Sequence, residues 1–216
     1  MTVGPISTNC WIYPVPGAAN GEKSFCAVID PGAQPDKIIA ILKNLNLTPK
    51  YILLTHGHFD HIEALPQLVS AFRNTDYPQI AIHRLDSEFL EQQNRKKYQN
   101  MLMAATGDNS FIDISNLMPP ADILLEEGSI IGPFTVLHIP GHTRGSVAFW
   151  DKEANVLFSG DTLFKGDYGR TDLPGGSEQQ IISSLKRLFG MDPAIKVFPG
   201  HGETTTIGHE ARTLLQ

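Results

Sequence analysis

The feature that most constrains this chain is a group of three histidines and one aspartate within six consecutive residues. Residues 56–61 have the sequence HGHFDH, and they follow the largely apolar run at residues 51–55. Imidazole nitrogens and carboxylate oxygens are ligands that zinc and iron accept. Without a cation, so dense a cluster would cost desolvation and like-charge repulsion whenever the histidines became protonated. The segment therefore predicts a metal site.

The order of these residues also predicts how their side chains divide. His56 and His58 alternate at the end of an extended segment, and Gly57 between them lets the backbone turn. Both imidazoles can then face one point, while Asp60 and His61 turn towards a second. We therefore expect two adjacent metal positions.

Three later segments repeat the construction of an apolar strand, a glycine-containing turn and a ligand-type residue. The runs at residues 136–141, 156–160 and 196–200 lead to His142, Asp161 and His201 respectively. In layered α/β proteins, sites are assembled from such strand-end loops by side chains that are distant in sequence. A histidine-rich surface loop or a single structural zinc site is the simpler alternative, and the repetition weighs against both.

These segments supply seven candidate ligands, enough for two metal ions with an open position. Two divalent ions about 3.5–4 Å apart can share a water, lower its pKa to about 7 and polarise a substrate carbonyl. Zinc is favoured, but no cysteine is in the set, so iron or manganese fits the same nitrogen and oxygen ligands. We assign His56, His58 and His142 to the first ion, Asp60, His61 and His201 to the second, and Asp161 as the bridge.

Two of these residues have alternative roles. With one metal bound, Asp60 could accept a proton from the attacking water or orient that water by a hydrogen bond. Asp161 could be an Asx-type turn residue after Gly160, although its place at a strand end favours bridging. Three further histidines do not follow the pattern and are left unassigned, namely His83, His138 and His209.

Composition limits the partners and the domain organisation. The chain has 216 residues, 41% of them hydrophobic, so residues 1–216 are expected to form a single domain with one sizeable core. A net charge of −6 disfavours a nucleic-acid partner, which would require a basic face.

The sequence contains no run of about 18 apolar residues, so no membrane span is predicted. Cys10 and Cys26 lack a CxxC spacing and are interpreted as small buried thiols in a reducing compartment. A cytoplasmic protein is therefore expected. The oligomeric state stays open.

Apolar periodicity predicts alternating strands and helices, which on this evidence alone means an α/β or α+β fold. A helix is expected to begin at Pro35, to present Ile38, Ile41, Leu42 and Leu45 on one face, and to end before Pro49. Helices are also predicted at residues 62–72 and 178–189 and at the C-terminal end. Strands are predicted at residues 9–13 and 25–29 as a hairpin, and at 51–55, 79–83, 123–125, 147–150, 156–159 and 196–198. A further strand is predicted at residues 130–139, interrupted at Gly132 and Pro133.

Residues 85–105 permit two interpretations. The favoured one is an amphipathic helix that covers the sheet. The other is a lid near the site, to which Tyr98, Met101 and Met103 would contribute adaptable apolar contacts.

Four motifs together resemble those of the metallo-β-lactamase superfamily: the HxHxDH run, His142 in GHT, Asp161 in GDT and His201 in GHG. The resemblance covers nearly the whole chain. Residues 4–11, GPISTNCW, and 169–176, GRTDLPGG, are similar to small glyoxalase II-like hydrolases of that superfamily. The resemblance implies a four-layer αβ/βα sandwich. It also implies metal-dependent cleavage of an S-lactoylglutathione-like thioester by a hydroxide that bridges the metals.

Arg170 is the candidate substrate-binding residue. It lies in a glycine-bounded loop after Asp161, and a guanidinium suits recognition of a carboxylate. Larger glyoxalase II enzymes carry a lysine at the comparable place, so the resemblance implies that Arg170 contacts the thiol half of the substrate. An ion pair with Asp172 that only orders the loop is the alternative. Arg144, just after His142, is interpreted as a loop residue or one that supports the ligands.

Three other functions are retained as alternatives. Persulfide dioxygenases resemble this chain in the same stretch and would use one iron held by His56, His142 and Asp161, a facial triad. A β-lactamase or lactonase is less favoured, because residues 169–176 resemble thioester and persulfide enzymes more closely. A non-catalytic metal-binding module is disfavoured, because structural zinc sites are closed, four-coordinate and usually contain cysteine.

Overall fold

Two β-sheets form the centre of the structure, a computed structural model that describes residues 1–16, 24–74, 77–106 and 117–214. The strands are β1 Thr2–Val3, β2 Thr8–Asn9, β3 Trp11–Val15, β4 Ser24–Ile29, β5 Leu47–Leu53, β6 Gln79–His83, β7 Ile123–Leu125, β8 Ile130–Ile131, β9 Phe134–His138, β10 Val147–Asp151, β11 Val156–Gly160, β12 Lys196–Pro199 and β13 Thr205–Thr206. The helices are α1 Pro35–Asn44, α2 Phe59–Ile62, α3 Leu65–Phe72, α4 Gln92–Thr106, α5 Glu178–Phe189 and α6 Ile207–Leu214, with a short 3₁₀ helix at Ser87–Leu90.

One sheet contains five strands in the order β3-β4-β5-β6-β7, and the other contains six in the order β13-β12-β11-β10-β9-β8. In the first sheet only β3 and β4 are antiparallel, as the predicted hairpin requires, and β4 to β7 run parallel. In the second sheet β11 and β12 are parallel and the remaining pairs antiparallel. Strands β1 and β2 form a separate pair.

Alternation along the strands places the sheets between two helical layers. In β5, Ile52 packs in a cluster with α1 and α3, whereas Leu53 belongs to the cluster between the two sheets. In β11, Phe158 faces the same inter-sheet cluster, and Leu157 packs outward in the cluster with α5 and α6. The layers are therefore helix, sheet, sheet and helix, which confirms the predicted αβ/βα sandwich.

Two predicted boundaries around α1 are corrected. Leu45 was expected on the apolar face of α1, but it caps the helix and is 60% exposed. Pro49 does not follow the end of the helix directly, because α1 ends at Asn44 and Pro49 lies inside β5. There the register shifts between Cys26 and Ala27 of the neighbouring strand, and such an irregularity tolerates a residue without an N–H group.

The predicted helix at residues 62–72 is two helices. The first, α2, already begins at Phe59, and the second, α3, begins at Leu65 with Pro66 in its first turn. Proline is favoured there because its missing N–H is not needed in a first turn. The break leaves α2 as a single turn that carries the last residues of the HGHFDH motif.

The segment predicted as a surface helix or a lid forms the 3₁₀ helix followed by α4. Buried Arg95 pairs with Glu63 at 2.8 Å, and the ring of Tyr98 stacks on Phe89 with centroids 4.1 Å apart. Met103 is 48% exposed, whereas the side chain of Met101 lies outside the described part. Arg95 and Tyr98 thus attach helix α4 to the rest of the protein. Within the described ranges, no helix is both long and apolar enough to cross a bilayer.

Candidate metal centre

The candidate ligands lie in loops that leave the same end of both sheets. His56 and His58 follow β5 of the five-stranded sheet, and Asp60 and His61 lie in α2 directly afterwards. The six-stranded sheet supplies the others after β9, β11 and β12: His142, Asp161 and His201.

The structure brings all seven predicted residues together in three overlapping groups. In each group the candidate ligand atoms lie within 4.8 Å of one another. The division predicted from the order of the motif is reproduced, because the first two histidines of the motif join a group separate from that of its last two residues. The groups are His56, His58 and His142; Asp60, His61 and His201; and His56, His61 and Asp161.

Asp161 lies between the first two groups. Its Oδ2 is 3.6 Å from Nε2 of His142 in one group and 3.4 Å from Nε2 of His201 in the other. Its Oδ1 is 3.4 Å from Nε2 of His61. A carboxylate that faces both groups is placed as a bridging ligand would be.

Unpaired buried atoms test whether the site fits a cation. Nε2 of His56, both ring nitrogens of His61 and Oδ1 of Asp161 are buried and form no hydrogen bond of normal geometry among the described residues. Such atoms carry a desolvation cost that a bound cation removes. Nε2 of His142 and Nδ1 of His58 lie 2.8 Å apart, so two ring nitrogens also face one point. The donor set therefore fits metal ions.

Protonation states in the site suit metal binding. Burial lowers the pKa of His58 to about 3 and that of His56 well below its usual value, so both imidazoles are neutral. Burial alone would raise the pKa of Asp161, but the neighbouring His61 holds it well below its ordinary range. Burial also opposes the charge on His201, yet Asp161 and Asp60 raise its pKa to about 10. A metal cation would replace the positive charge that these carboxylates favour.

Backbone and side-chain contacts orient two of the imidazoles. Nδ1 of His142 lies 2.8 Å from the carbonyl oxygen of Arg170, which can only accept, so Nδ1 carries the proton and Nε2 is left as the ligand atom. Nδ1 of His61 lies 3.0 Å from Oδ2 of Asp30, an ion-pair distance at which the angles of a hydrogen bond are not met. Asp30 in turn accepts hydrogen bonds from the amide and hydroxyl of Thr55.

The N-terminal segment holds two further parts of the site. The hydroxyl of Thr8 donates to Oδ2 of Asp60 at 2.8 Å. The amide of Asn9 donates to the carbonyl oxygens of Pro199 and Gly202 at 3.1 and 2.9 Å, on either side of His201. These contacts account for the position of residues 4–11 beside the site, for which the sequence offered only a resemblance.

Asp86 connects the ligand loops, and sequence reasoning did not identify it. Its carboxylate accepts hydrogen bonds from the amide of Gly57 at 3.1 Å, the hydroxyl of Thr143 at 2.7 Å and the amide of Gly145 at 2.7 Å. Burial raises its pKa, and these three donors oppose the rise. The only sequence signal was an aspartate after the strand β6, because its partners are backbone groups and a threonine far away in the chain.

None of the other residues considered from the sequence belongs to the three ligand groups. Arg170 forms a bidentate ion pair with Asp172, with both N–O distances 2.7 Å. This is the ion pair of the alternative interpretation, in which it only orders the loop. His83 and His138 stack on each other with centroids 4.2 Å apart, and His209 is exposed in α6. The substrate role of Arg170 stays a prediction.

Comparisons with known proteins agree with this geometry. The family model described as the metallo-β-lactamase superfamily matches residues 3–201. The hydroxyacylglutathione hydrolase GloC of Haemophilus influenzae is 35% identical over 193 residues, which cover 89% of this chain and 87% of the relative. The crystal structure of TTHA1623 in a di-iron-bound form is 39% identical, with a TM-score of 0.79 and coverage of 99% and 96%. That of the B3 metallo-β-lactamase BLEG-1 is 36% identical, with a TM-score of 0.80 and coverage of 98% and 94%. The chain belongs to the metallo-β-lactamase superfamily.

Proposed function

We propose that this chain is a metal-dependent hydrolase that cleaves an S-lactoylglutathione-like thioester. The observation that carries the proposal is the pair of complete ligand groups with Asp161 between them. In this proposal His56, His58 and His142 hold one ion, Asp60, His61 and His201 hold the other, and Asp161 touches both. Two divalent cations so held, zinc or else iron or manganese, supply a nucleophilic water at neutral pH and polarise the thioester carbonyl.

The residues of the chain prepare the site for that chemistry. The Arg170 carbonyl fixes the tautomer of His142, and the carboxylate of Asp30 lies 3.0 Å from Nδ1 of His61. Asp60 Oδ2 accepts from Thr8 and lies 3.2 Å from Nε2 of both His61 and His201. This crowded position favours the ligand role of Asp60 over the alternative of a proton acceptor. Phe89 closes one side, with its ring 5.6 Å from that of His58.

The choice of a thioester draws on similarity. GloC is named a hydroxyacylglutathione hydrolase, and this chain matches it over most of both lengths. A mononuclear dioxygenase would use His56, His142 and Asp161 and leave the group Asp60, His61 and His201 without an ion. The second group favours hydrolysis modestly, because persulfide dioxygenases also retain the HxHxDH run. The similarity to BLEG-1 makes β-lactam hydrolysis the competing reaction within the hydrolases.

Metal content measured beside activity tests the proposal. Protein purified without added metal would be analysed for zinc, iron and manganese per chain. The same sample would be assayed with S-lactoylglutathione, with a chromogenic β-lactam, and for oxygen uptake with glutathione persulfide. We expect about two ions per chain and thioester hydrolysis. One iron with oxygen uptake and no hydrolysis would establish the dioxygenase instead, and cleavage of the β-lactam alone would exclude the thioester.

A further inference from the structure

A small cavity lies beside the candidate metal centre, between the start of α4 and the loop after His142. Its volume is about 160 Å³. Phe89 forms the wall towards the metal ligands, because its ring contacts that of His58 on one side and stacks on Tyr98 on the other. Lys97 and Arg144 line the same cavity.

Lys97 and Arg144 differ from several other cationic side chains in having no carboxylate partner within the described ranges. Neither Lys97 nor Arg144 forms an ion pair with a carboxylate in the described part of the chain. Arg170, the cation that the sequence singled out, is already held by Asp172. Three further arginines also pair with carboxylates, Arg84 with Glu126, Arg95 with Glu63 and Arg187 with Glu127.

The two carboxylates that line the cavity do not neutralise these cations through an ion pair. Asp86 uses its oxygens for Gly57, Thr143 and Gly145. Glu88 accepts a hydrogen bond from the hydroxyl of Tyr98. Lys97 and Arg144 therefore have donors free for a ligand, and the negative charge of Glu88 works against an anion.

We propose that the cavity between Arg144 and Lys97 binds a carboxylate of the thiol-bearing half of the substrate. This inference rests on the proposed thioester hydrolysis. The cavity is smaller than the roughly 300–1,000 Å³ of a pocket that encloses a whole drug-sized ligand, so it suits a terminal carboxylate and the few atoms that carry it. Arg144 is only two residues beyond His142, so a thiol half held here keeps its acyl end near the metal ligands.

Kinetics on a matched pair of substrates test the charge recognition. One substrate is S-lactoylglutathione, and the other is the same molecule with both carboxylates converted to amides. For the first, Arg144→Gln and Lys97→Gln should each raise KM about tenfold with little change in kcat, because a charge-assisted contact made equally in ground and transition states is lost. For the diamide, wild type and both variants should have the same KM.

Three further variants separate charge recognition from a structural effect. Arg144→Lys should restore part of the affinity, since it keeps the charge but loses the planar guanidinium. Glu88→Gln should lower KM, because it removes a negative charge and keeps an acceptor for Tyr98. Lys96→Gln is the matched control: it removes a cation from the same helix that lines a different depression, and it should leave KM unchanged.

Binding of S-methylglutathione, which cannot be hydrolysed as a thioester, distinguishes failure of this inference from failure of the proposed function. Titration calorimetry should show wild type binding it about tenfold more tightly than Arg144→Gln does. If wild type hydrolyses S-lactoylglutathione but Arg144→Gln changes neither KM nor binding, the carboxylate site is wrong and the function stands. If binding depends on Arg144 but no thioester is cleaved, the site stands and the reaction is wrong. Absence of both would overturn both.

Discussion

At the scale of single residues, Asp161 is the side chain that lies close to both of the other ligand groups. It lies 3.4 Å from His61 and His201 and 3.6 Å from His142. We expect Asp161→Ala to lose metal and activity together, because the remaining groups would face each other without the shared carboxylate. Elemental analysis and the thioester assay on the same sample measure both.

An exposed carboxylate provides the control for that substitution. Glu153→Ala, in the turn between β10 and β11, removes the same charge far from the ligands and should keep metal content and activity at wild-type values. An Asp161→Ala protein that still contained two ions and hydrolysed the thioester would eliminate the bridging role.

A second prediction at this scale concerns Asp86. Asp86→Ala would leave the amides of Gly57 and Gly145 without their acceptor in a buried place, whereas the hydroxyl of Thr143 would keep Ser146 as a partner. We expect the free energy of unfolding to fall by about 3 kcal/mol or more, since one buried unsatisfied group costs roughly 1–3 kcal/mol. Metal content should fall as well, because the loops of His58 and His142 lose their common anchor.

Urea denaturation of the purified variants measures the cost at Asp86. Ser87→Ala, which removes only an exposed hydrogen bond to the carbonyl of Arg84, should change the stability by less than about 0.5 kcal/mol. Equal stabilities of Asp86→Ala and Ser87→Ala would show that Asp86 does not anchor the loops.

The sequence predicted which candidate ligands come together, but not the residues that contact them. Histidine and aspartate side chains bind metal ions, and few of them follow strand ends, so their pattern indicates a metal. The carboxylate oxygens of Asp86 and Asp30 and the carbonyl oxygen of Arg170 contact backbone amides or histidines that are distant in the chain. Such contacts exist only once the loops have been brought together. The unpaired state of Arg144 is likewise a property of its three-dimensional neighbours.

At the scale of elements, each ligand depends on the close approach of a strand end to its neighbour. Gly200, between β12 and His201, shows this most clearly. A Cβ atom at this position would lie 2.0 Å from Oδ1 of Asp161 and 2.9 Å from Cε1 of His61. Gly200→Ala should therefore displace candidate ligands and lower metal content and activity several-fold.

Gly190→Ala is the matched control for Gly200. Gly190 ends α5 with a negative φ, and an added Cβ would come no closer than 3.4 Å to the carbonyl oxygen of Arg187. This variant should fold and bind metal as wild type does. If Gly200→Ala behaved in the same way, the packing of the strand ends would not be what positions Asp161.

The sequence predicted helices and strands correctly where the local residue pattern determines them. It missed boundaries where contacts with distant parts of the chain determine them. Helix α5 follows its apolar spacing, and Ser177 caps it by accepting a hydrogen bond from the amide of Gln180. By contrast, β5 extends over Pro49 because residues 47–49 pair with β4 alone, next to a register shift, and β6 joins only from Tyr51. The division of residues 59–72 into α2 and α3 similarly involves a distant part of the chain, because the amide of Ala64 between them donates to the carbonyl oxygen of Pro31.

At the scale of the whole molecule, the candidate centre joins the two sheets. The residues that follow β5 come from one sheet, and those that follow β9, β11 and β12 come from the other. A ligand that binds the folded state alone stabilises it by mass action, by about 2.7 kcal/mol at a free concentration one hundred times Kd. Metal bound here should therefore stabilise the contact between the sheets at the end that carries the loops.

Removal of the metal by a chelator should lower the midpoint of thermal unfolding by roughly 5–10 °C, given about 2–4 °C per kcal/mol for a chain of this length. Hydrogen exchange should speed up most around residues 56–61, 142–146 and 200–202, while the inter-sheet cluster that includes Leu53 and Phe149 stays protected. The Asp161→Ala variant supplies the internal control: if it is already depleted of metal, the chelator should shift its midpoint little. An unchanged midpoint in wild-type protein that had demonstrably lost its metal would show that the two sheets hold together without help from the centre.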